Sequence, residues 1–267
     1  MSANDFYEIP FNGGRYDWPR VTSILRVIDK PGIVWWAANM TEAALRLRLE
    51  DVLTTPGIEH TPQSVWDAMI AKVDGAKAHV RARDEAANIG TQAHALIRWH
   101  TLGMLGQDAG PEPAVPDAAL RAVLAWLDWV RAVSFTPLYA ELPLYCEFCG
   151  IAGTTDTIAK VNGLVTVVDY KSAPPPRDTR RLRVYPEALI QTAYYRHCAA
   201  MRDIPTEQTM VVRLPKVEGD RWSPDKDAVI GPTIPLRILQ SITTTWRAMR
   251  WIEGEYYGSP PIGPHPA

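Results

Sequence analysis

Asp156, Asp169 and Lys171 are the residues whose types and spacing first suggest chemistry. They lie in GTTDTIAKVNGLVTVVDYKS, residues 153–172. Two strand-like runs there flank Asn162-Gly163. Asn-Gly between such runs is the strongest short-range hairpin signal, because a type I′ turn needs φ > 0 at both central residues. The turn sets Val161 opposite Leu164, and counting outward five residues on each side sets Asp156 opposite Asp169. Facing like charges destabilise a sheet. A divalent cation between them reverses the sign, and carboxylate oxygens suit Mg²⁺ or Mn²⁺. Lys171, two residues past Asp169, falls on the same face. The spacing predicts a metal site with an ammonium beside it, in a register that a bulge would slip by one.

Other residues offer partners for that site, each with a plainer reading beside it. His94 falls one helical turn after Gly90, on the same face. A lone helical histidine is more often structural than ligating. Gly90 costs about 1 kcal/mol against Ala inside a helix, so close packing is expected there. Gln191 and Tyr195 are four apart and share a helix face, where they either bond phosphate oxygens or cap the sheet. Glu141 is a metal neighbour, a partner for Lys171 or a strand-end charge, and Glu147 competes with it. Arg177, Arg180, Arg181 and Arg183 crowd one segment, read either as a phosphate grip or as a solvated loop. Cys146 and Cys149 have the C-x-x-C spacing, with Cys198 the third cysteine. They read best as small buried residues, since a zinc site needs histidines that the sequence does not place nearby.

The elements that must position these residues follow from periodicity and breakers. Helices are expected over 21–29, 33–49, 63–73, 75–101 and 118–133, the last with Asp117 as N-cap and with Leu120, Val123, Leu124, Leu127 and Val130 recurring at helical spacing. Trp35 and Trp36 are expected to pack rather than to stack on bases. Strands are expected over 141–148, 151–160 and 164–171. Pro186 opens a helix over 187–202. A strand over 208–214, a short edge strand over 228–234 and a helix over 236–256 follow. The order predicts an α/β fold, a mixed sheet flanked by helices with an N-terminal helical region. We divide it as 1–135 helical, carrying the His94 helix, 136–257 core and 258–267 disordered tail, in one compact domain overall.

Composition narrows the class. A 267-residue chain with 46% hydrophobic residues can build a large core. No run of 18 or more apolar residues suggests a membrane span, and MSANDFYEIP lacks the basic and apolar regions of a secretory signal. Three cysteines do not suggest a disulfide scaffold, so a cytoplasmic location is expected. The net charge of −2 counts mildly against a nucleic-acid partner, though charge is local.

Taken together, GTTD…VVDYKS, Glu141 upstream, the G-T-x-x-H of Gly90–His94 and the Q-x-x-x-Y of Gln191–Tyr195 resemble the RecB-like branch of the PD-(D/E)XK nuclease superfamily. The likeness is strongest to phage exonucleases and the nucleases of CRISPR adaptation. It spans Gly90 to Tyr195, and Thr155 stands where the superfamily's name has proline. The resemblance implies a PD-(D/E)XK (restriction-endonuclease-like) core. It implies that His94, Asp156, Asp169 and the Tyr170 backbone carbonyl ligate one or two Mg²⁺ or Mn²⁺ ions. Lys171 would orient or deprotonate the attacking water, with Gln191 and Tyr195 near the metal and the DNA backbone, and Glu141 at an upstream acidic position. Some members carry an iron–sulfur cluster on four cysteines, and with three in this chain no such cluster is expected. The implied function is a metal-dependent DNA exonuclease of phage recombination, replication or repair, in the host cytoplasm if phage-encoded. DNA is the expected partner, with a recombination or single-strand-binding protein as a second. A structure-specific or CRISPR-adaptation nuclease, and an inactive DNA-binding adaptor retaining the fold, stay open as alternatives.

Overall fold

The computed structural model describes residues 6–11, 14–28, 31–57, 61–71, 78–173 and 184–257. Arg177, Arg180, Arg181 and Arg183, and the expected tail, lie outside the described residues. The Asn162-Gly163 turn forms as expected. Asn162 and Gly163 take φ of 50° and 87°, joining strands β4 (Ile151–Val161) and β5 (Leu164–Ser172). The register runs from Val161↔Leu164 to Thr157↔Val168. Asn162 also ties the turn to the strand before it, accepting from the Ser134 amide at 3.0 Å and donating to its carbonyl at 2.9 Å.

That preceding strand, β3, covers Phe135–Cys146 and so begins six residues before its expected start at Glu141. A bulge between Pro137 and Tyr139 lets its first part continue pairing with β4. After β5 the chain crosses through a helix over Pro186–Ala200 to a strand over Gln208–Leu214, which pairs parallel to β5. A parallel pair requires such a crossover, and Pro186 suits the first helical turn. A three-residue edge strand, Ala228–Ile230, closes the sheet. The fold is α/β, with a mixed five-stranded sheet flanked by helices.

The remaining elements can now be numbered in chain order. A two-stranded hairpin, β1 (Phe6–Phe11) and β2 (Gly14–Pro19), opens the chain. A short α1 (Val21–Ile24) follows and runs into a 3₁₀ turn. Helices α2 (Pro31–Thr54), α3 (Pro62–Ala71), α4 (Ala78–Met104) and α5 (Asp117–Ala132) come next. The crossover helix is α6 and the two later strands are β6 and β7. Between those strands lies α7 (Pro224–Asp227), and α8 (Leu236–Tyr257) ends the described chain. Among the described residues no helix is long and apolar enough to cross a membrane.

The chain divides into two compact units. One comprises 1–28 with 90–267, and the other 29–89. In the smaller unit, Trp36 meets His79 edge-on, with ring centres 6.5 Å apart. Trp35, expected to be packed, is 73% exposed. Apolar residues are distributed around α2 rather than along one stripe, so some of them face outward.

In the larger unit α6 and α8 cover one side of the sheet. Tyr194, Tyr195 and Cys198 of α6 pack with Leu144, Ile158 and Val167 of the strands and with Leu239 and Trp246 of α8. Each fully buried Ile or Val here contributes about 2 kcal/mol of burial energy. The other side is aromatic. Trp126 and Trp129 of α5 meet the Tyr170 ring at 6.4 and 5.9 Å. The buried face of α5 is therefore Ala119, Ala122, Val123, Ala125, Trp126 and Trp129, while Leu120 and Leu124 point outward. Small alanines let the helix approach, and the two indoles fill what remains. Pro116, not Asp117, occupies the N-cap position of α5.

Candidate metal centre

The site forms where β4 and β5 cease to pair. Their ladder stops at Thr157↔Val168, one pair short of the two aspartates. Asp156 uses its carboxylate instead: Oδ2 accepts the Tyr170 amide at 2.7 Å. Its other oxygen, Oδ1, lies 3.3 Å from His94 Nδ1. His94 is carried by α4, where Gly90 brings the helix close to the end of β5. A Cβ added at Gly90 would lie 3.0 Å from Ser172 Oγ. The His94 ring stands edge-on to Tyr170, with centres 6.3 Å apart.

Glu141 completes a group of three. One ligand atom from each of His94, Glu141 and Asp156 lies within 4.8 Å of the others. Glu141 reaches this place through an unusual backbone, with φ +50° in the middle of β3. A non-glycine residue in that region costs about 1–2 kcal/mol. Its neighbours Ala140 and Leu142 pair normally with Thr157 and Thr155, so the irregularity is confined to the residue facing Asp156.

Asp169 and Lys171 form a second group. Lys171 Nζ lies 2.7 Å from Asp169 Oδ2 and 2.9 Å from Oδ1. Asp169 is 1% exposed, while the Lys171 side chain is 37% exposed. Their shared face follows from strand alternation as expected. The structure thus brings Asp156, His94 and Glu141 together, and sets Asp169 against Lys171 rather than in that trio.

On α6, Gln191 Nε2 donates to the Tyr195 hydroxyl at 3.0 Å. Both residues are buried. The Tyr195 ring packs on Gly153, where an added Cβ would come within 2.5 Å of Cε1. Tyr170 takes part through its amide, and its ring is buried on the aromatic side.

Burial and mutual charge set the protonation of the cluster together. Burial lifts Glu141 to about 7, and Asp156 adds to the effect. Burial likewise lifts Asp169 to about 6, against the pull of Lys171. Burial alone would lower His94, but the Asp156 carboxylate outweighs it and holds His94 at about 9. Asp156 is pulled below the usual carboxylate range by His94, Lys171 and the Tyr170 amide, despite its burial. Lys171 is raised by Asp169 and Asp156, again against burial. Two carboxylates converging on one imidazole fit a cation's donor set.

Two nearby residues escaped sequence reasoning. Arg98, one turn after His94 on α4, is exposed and acts electrostatically on Glu141; its spacing from His94 was a usable signal. Tyr7 of β1 donates to or accepts from Thr154 Oγ1 at 2.8 Å, and nothing in its sequence neighbourhood marks it. Glu147, the competitor of Glu141, is exposed in the turn after β3. That turn also carries Cys149. Cys146, Cys149 and Cys198 are all buried and unbridged. Cys146 takes hydrogen bonds from the other two thiols, which pulls it downward. The Cys149 thiol is pushed up by its bond to Cys146, and burial pushes up Cys198.

No family model matches this chain, and no curated protein matches it. The crystal structure of SSO0001 aligns with 81% of this chain and 91% of its own, at 15% identity and a TM-score of 0.33. A likeness that distant carries no argument.

Proposed function

We propose that this chain is a divalent-metal-dependent deoxyribonuclease with a PD-(D/E)XK core, acting as an exonuclease on linear DNA. The observation that carries the reading is the convergence of His94, Glu141 and Asp156 within 4.8 Å, with the Asp169–Lys171 pair on the adjoining strand end. One imidazole and two carboxylates suit Mn²⁺ and Mg²⁺. A bound ion of this kind supplies Lewis acidity at a phosphoryl oxygen and lowers the pKa of a bound water.

The chain's own groups account for the rest. Asp156 is held in place by the Tyr170 amide, so its other oxygen, beside His94, is already oriented. Lys171 is cationic at neutral pH and stabilises charge developing on a phosphate beside it. Asp169 holds that ammonium at 2.7 Å and keeps it from the solvent-facing rotamers a free lysine samples. Tyr195 stays protonated, raised by burial and by Asp169, so it acts as a neutral hydrogen-bond donor. Gln191 fixes the direction of its hydroxyl. Gly153 is the residue that lets the Tyr195 ring reach the strand. Arg98 adds positive charge for a phosphate backbone.

The test uses 5′- and 3′-labelled DNA, linear and circular, single- and double-stranded, with Mg²⁺ or Mn²⁺. Metal-dependent loss of linear DNA is expected, falling at least a hundredfold in Asp156→Asn and Asp169→Asn, as is usual when a site of this kind loses a charge-stabilising group. No cutting, or cutting unchanged in both variants, sinks the nuclease reading. Rapid loss of circular DNA sinks only the exonuclease part.

A further inference from the structure

The N-terminal hairpin brings Arg20 and Tyr7 to the start of β4, and no motif singles them out. The Arg20 guanidinium carbon lies 4.5 Å from the centre of the Tyr7 ring, a cation–π contact. Its Nε is held on the Phe6 carbonyl at 3.4 Å. Among the described residues, its two terminal nitrogens have no hydrogen-bond or ionic partner. Arg20 is half-buried, and its backbone bridges Ala152 of β4. The Tyr7 hydroxyl holds Thr154 Oγ1 at 2.8 Å. Thr154 precedes Asp156 by two residues, roughly 6.6 Å along a strand. Tyr7 is also close enough to Tyr195 to raise its pKa.

A second arginine of the same unit shows what a structural role looks like. Arg213 is fully buried, and its nitrogens meet Asp220, Asp227 and the Ala173 carbonyl. Arg20 differs: it is fixed across its flat face and at Nε, and among the described residues its outer N–H groups are left over. That is a preorganised fork for a tetrahedral anion.

We propose that Arg20, held by Tyr7, binds a phosphate of the substrate strand adjacent to the one placed at His94, Glu141 and Asp156. This rests on the nuclease reading above. The ligand is a phosphate group, taken either from the next internal diester or from a monoester at the strand end.

The experiment measures KM and kcat of wild type, Arg20→Gln and Arg20→Lys on oligonucleotides with phosphate or hydroxyl at each end. Mg²⁺ is present, and salt runs from about 50 to 200 mM. Arg20→Gln is expected to raise KM about tenfold with kcat retained. Its log KM against log salt is expected to be shallower by about one. Arg20→Lys keeps the salt slope and loses part of the KM, because the charge stays and the fork goes. A loss on every substrate identifies an internal diester; a loss confined to phosphorylated ends identifies a terminal monoester. Unchanged KM and slope in Arg20→Gln overturn the proposal. Mn²⁺ binding, read by electron paramagnetic resonance, shows whether that variant keeps its centre. If it does not fold, unchanged KM in Arg20→Lys on all substrates overturns the fork. A wild-type protein that neither binds nor cuts DNA overturns the nuclease reading, a result distinct from a cutting enzyme indifferent to Arg20.

Discussion

Glu141 combines two costs at one residue: a left-handed backbone at φ +50° and a carboxylate raised to about 7 by burial and Asp156. Without metal, both oppose folding. For a carboxyl group whose folded pKa lies above its unfolded value of 4.5, the penalty is absent below 4.5 and complete above 7. Metal-free Glu141→Gln should therefore melt a few degrees higher than wild type at pH 8 and no higher at pH 4.5, as followed by circular dichroism. An equal gain at both values, or none, removes the electrostatic part of the argument. Sequence alone could not rank Glu141 against Glu147, since neither neighbour predicts φ > 0. Asp156, Asp169 and Lys171 were legible because strand alternation is a strict period of two. What could not be read was the early end of the ladder, which turns Asp156 towards His94 and leaves Asp169 with Lys171.

At the scale of elements, two contacts position the centre. Tyr195 on α6 needs Gly153 on β4. A methyl in Gly153→Ala would have to displace a rigid ring by several tenths of an ångström, a cost of about 1–3 kcal/mol. We expect a lower melting temperature together with weaker DNA cutting, while Mn²⁺ binding at the trio persists. Retained cutting would show that α6 is not needed at that position. The end of β5 is held by Arg213 of β6, which bonds the Ala173 carbonyl at 2.9 Å and two buried aspartates. Arg213→Met takes the guanidinium away from Asp220 and Asp227 and should cost about 3–5 kcal/mol by urea unfolding. A loss under about 1 kcal/mol would mean the aspartates find water. Most elements were visible in the sequence through their breakers, notably Asn162-Gly163 and Pro186. The β1–β2 hairpin was not, because Phe6–Phe11 and Gly14–Pro19 mix polar and aromatic residues and proline without clean alternation. The face of α5 was misjudged because alanines and tryptophans, rather than leucines, meet the sheet.

For the whole molecule, the metal is a stabilising ligand if the trio holds it. At a Mn²⁺ concentration 100 times Kd, folding should gain about 2.7 kcal/mol. In a chain of this length that corresponds to a rise of roughly 5–10 °C. The rise should be larger at pH 8.5 than at pH 6.5, since Mn²⁺ displaces the proton that His94 retains up to about 9. Scanning calorimetry of wild type and Asp156→Asn checks this, and a shift that survives the substitution places the ion elsewhere. The α/β arrangement was foreseeable from element order. The gathering of residues 1–28 with 90–267 into one unit was not, because contacts between distant segments leave no local periodicity.

The three thiols beside α6 give the protein an internal clock. Cys146, Cys149 and Cys198 are shielded from solvent, and Cys198 sits on the same helix as Gln191 and Tyr195. A thiol reagent can react only when that helix detaches or the turn after β3 opens. The rate of labelling at low denaturant therefore times the opening of α6. Metal that acts only at its own ligands will leave that rate unchanged, whereas metal that tightens the whole unit will slow all three sulfurs together.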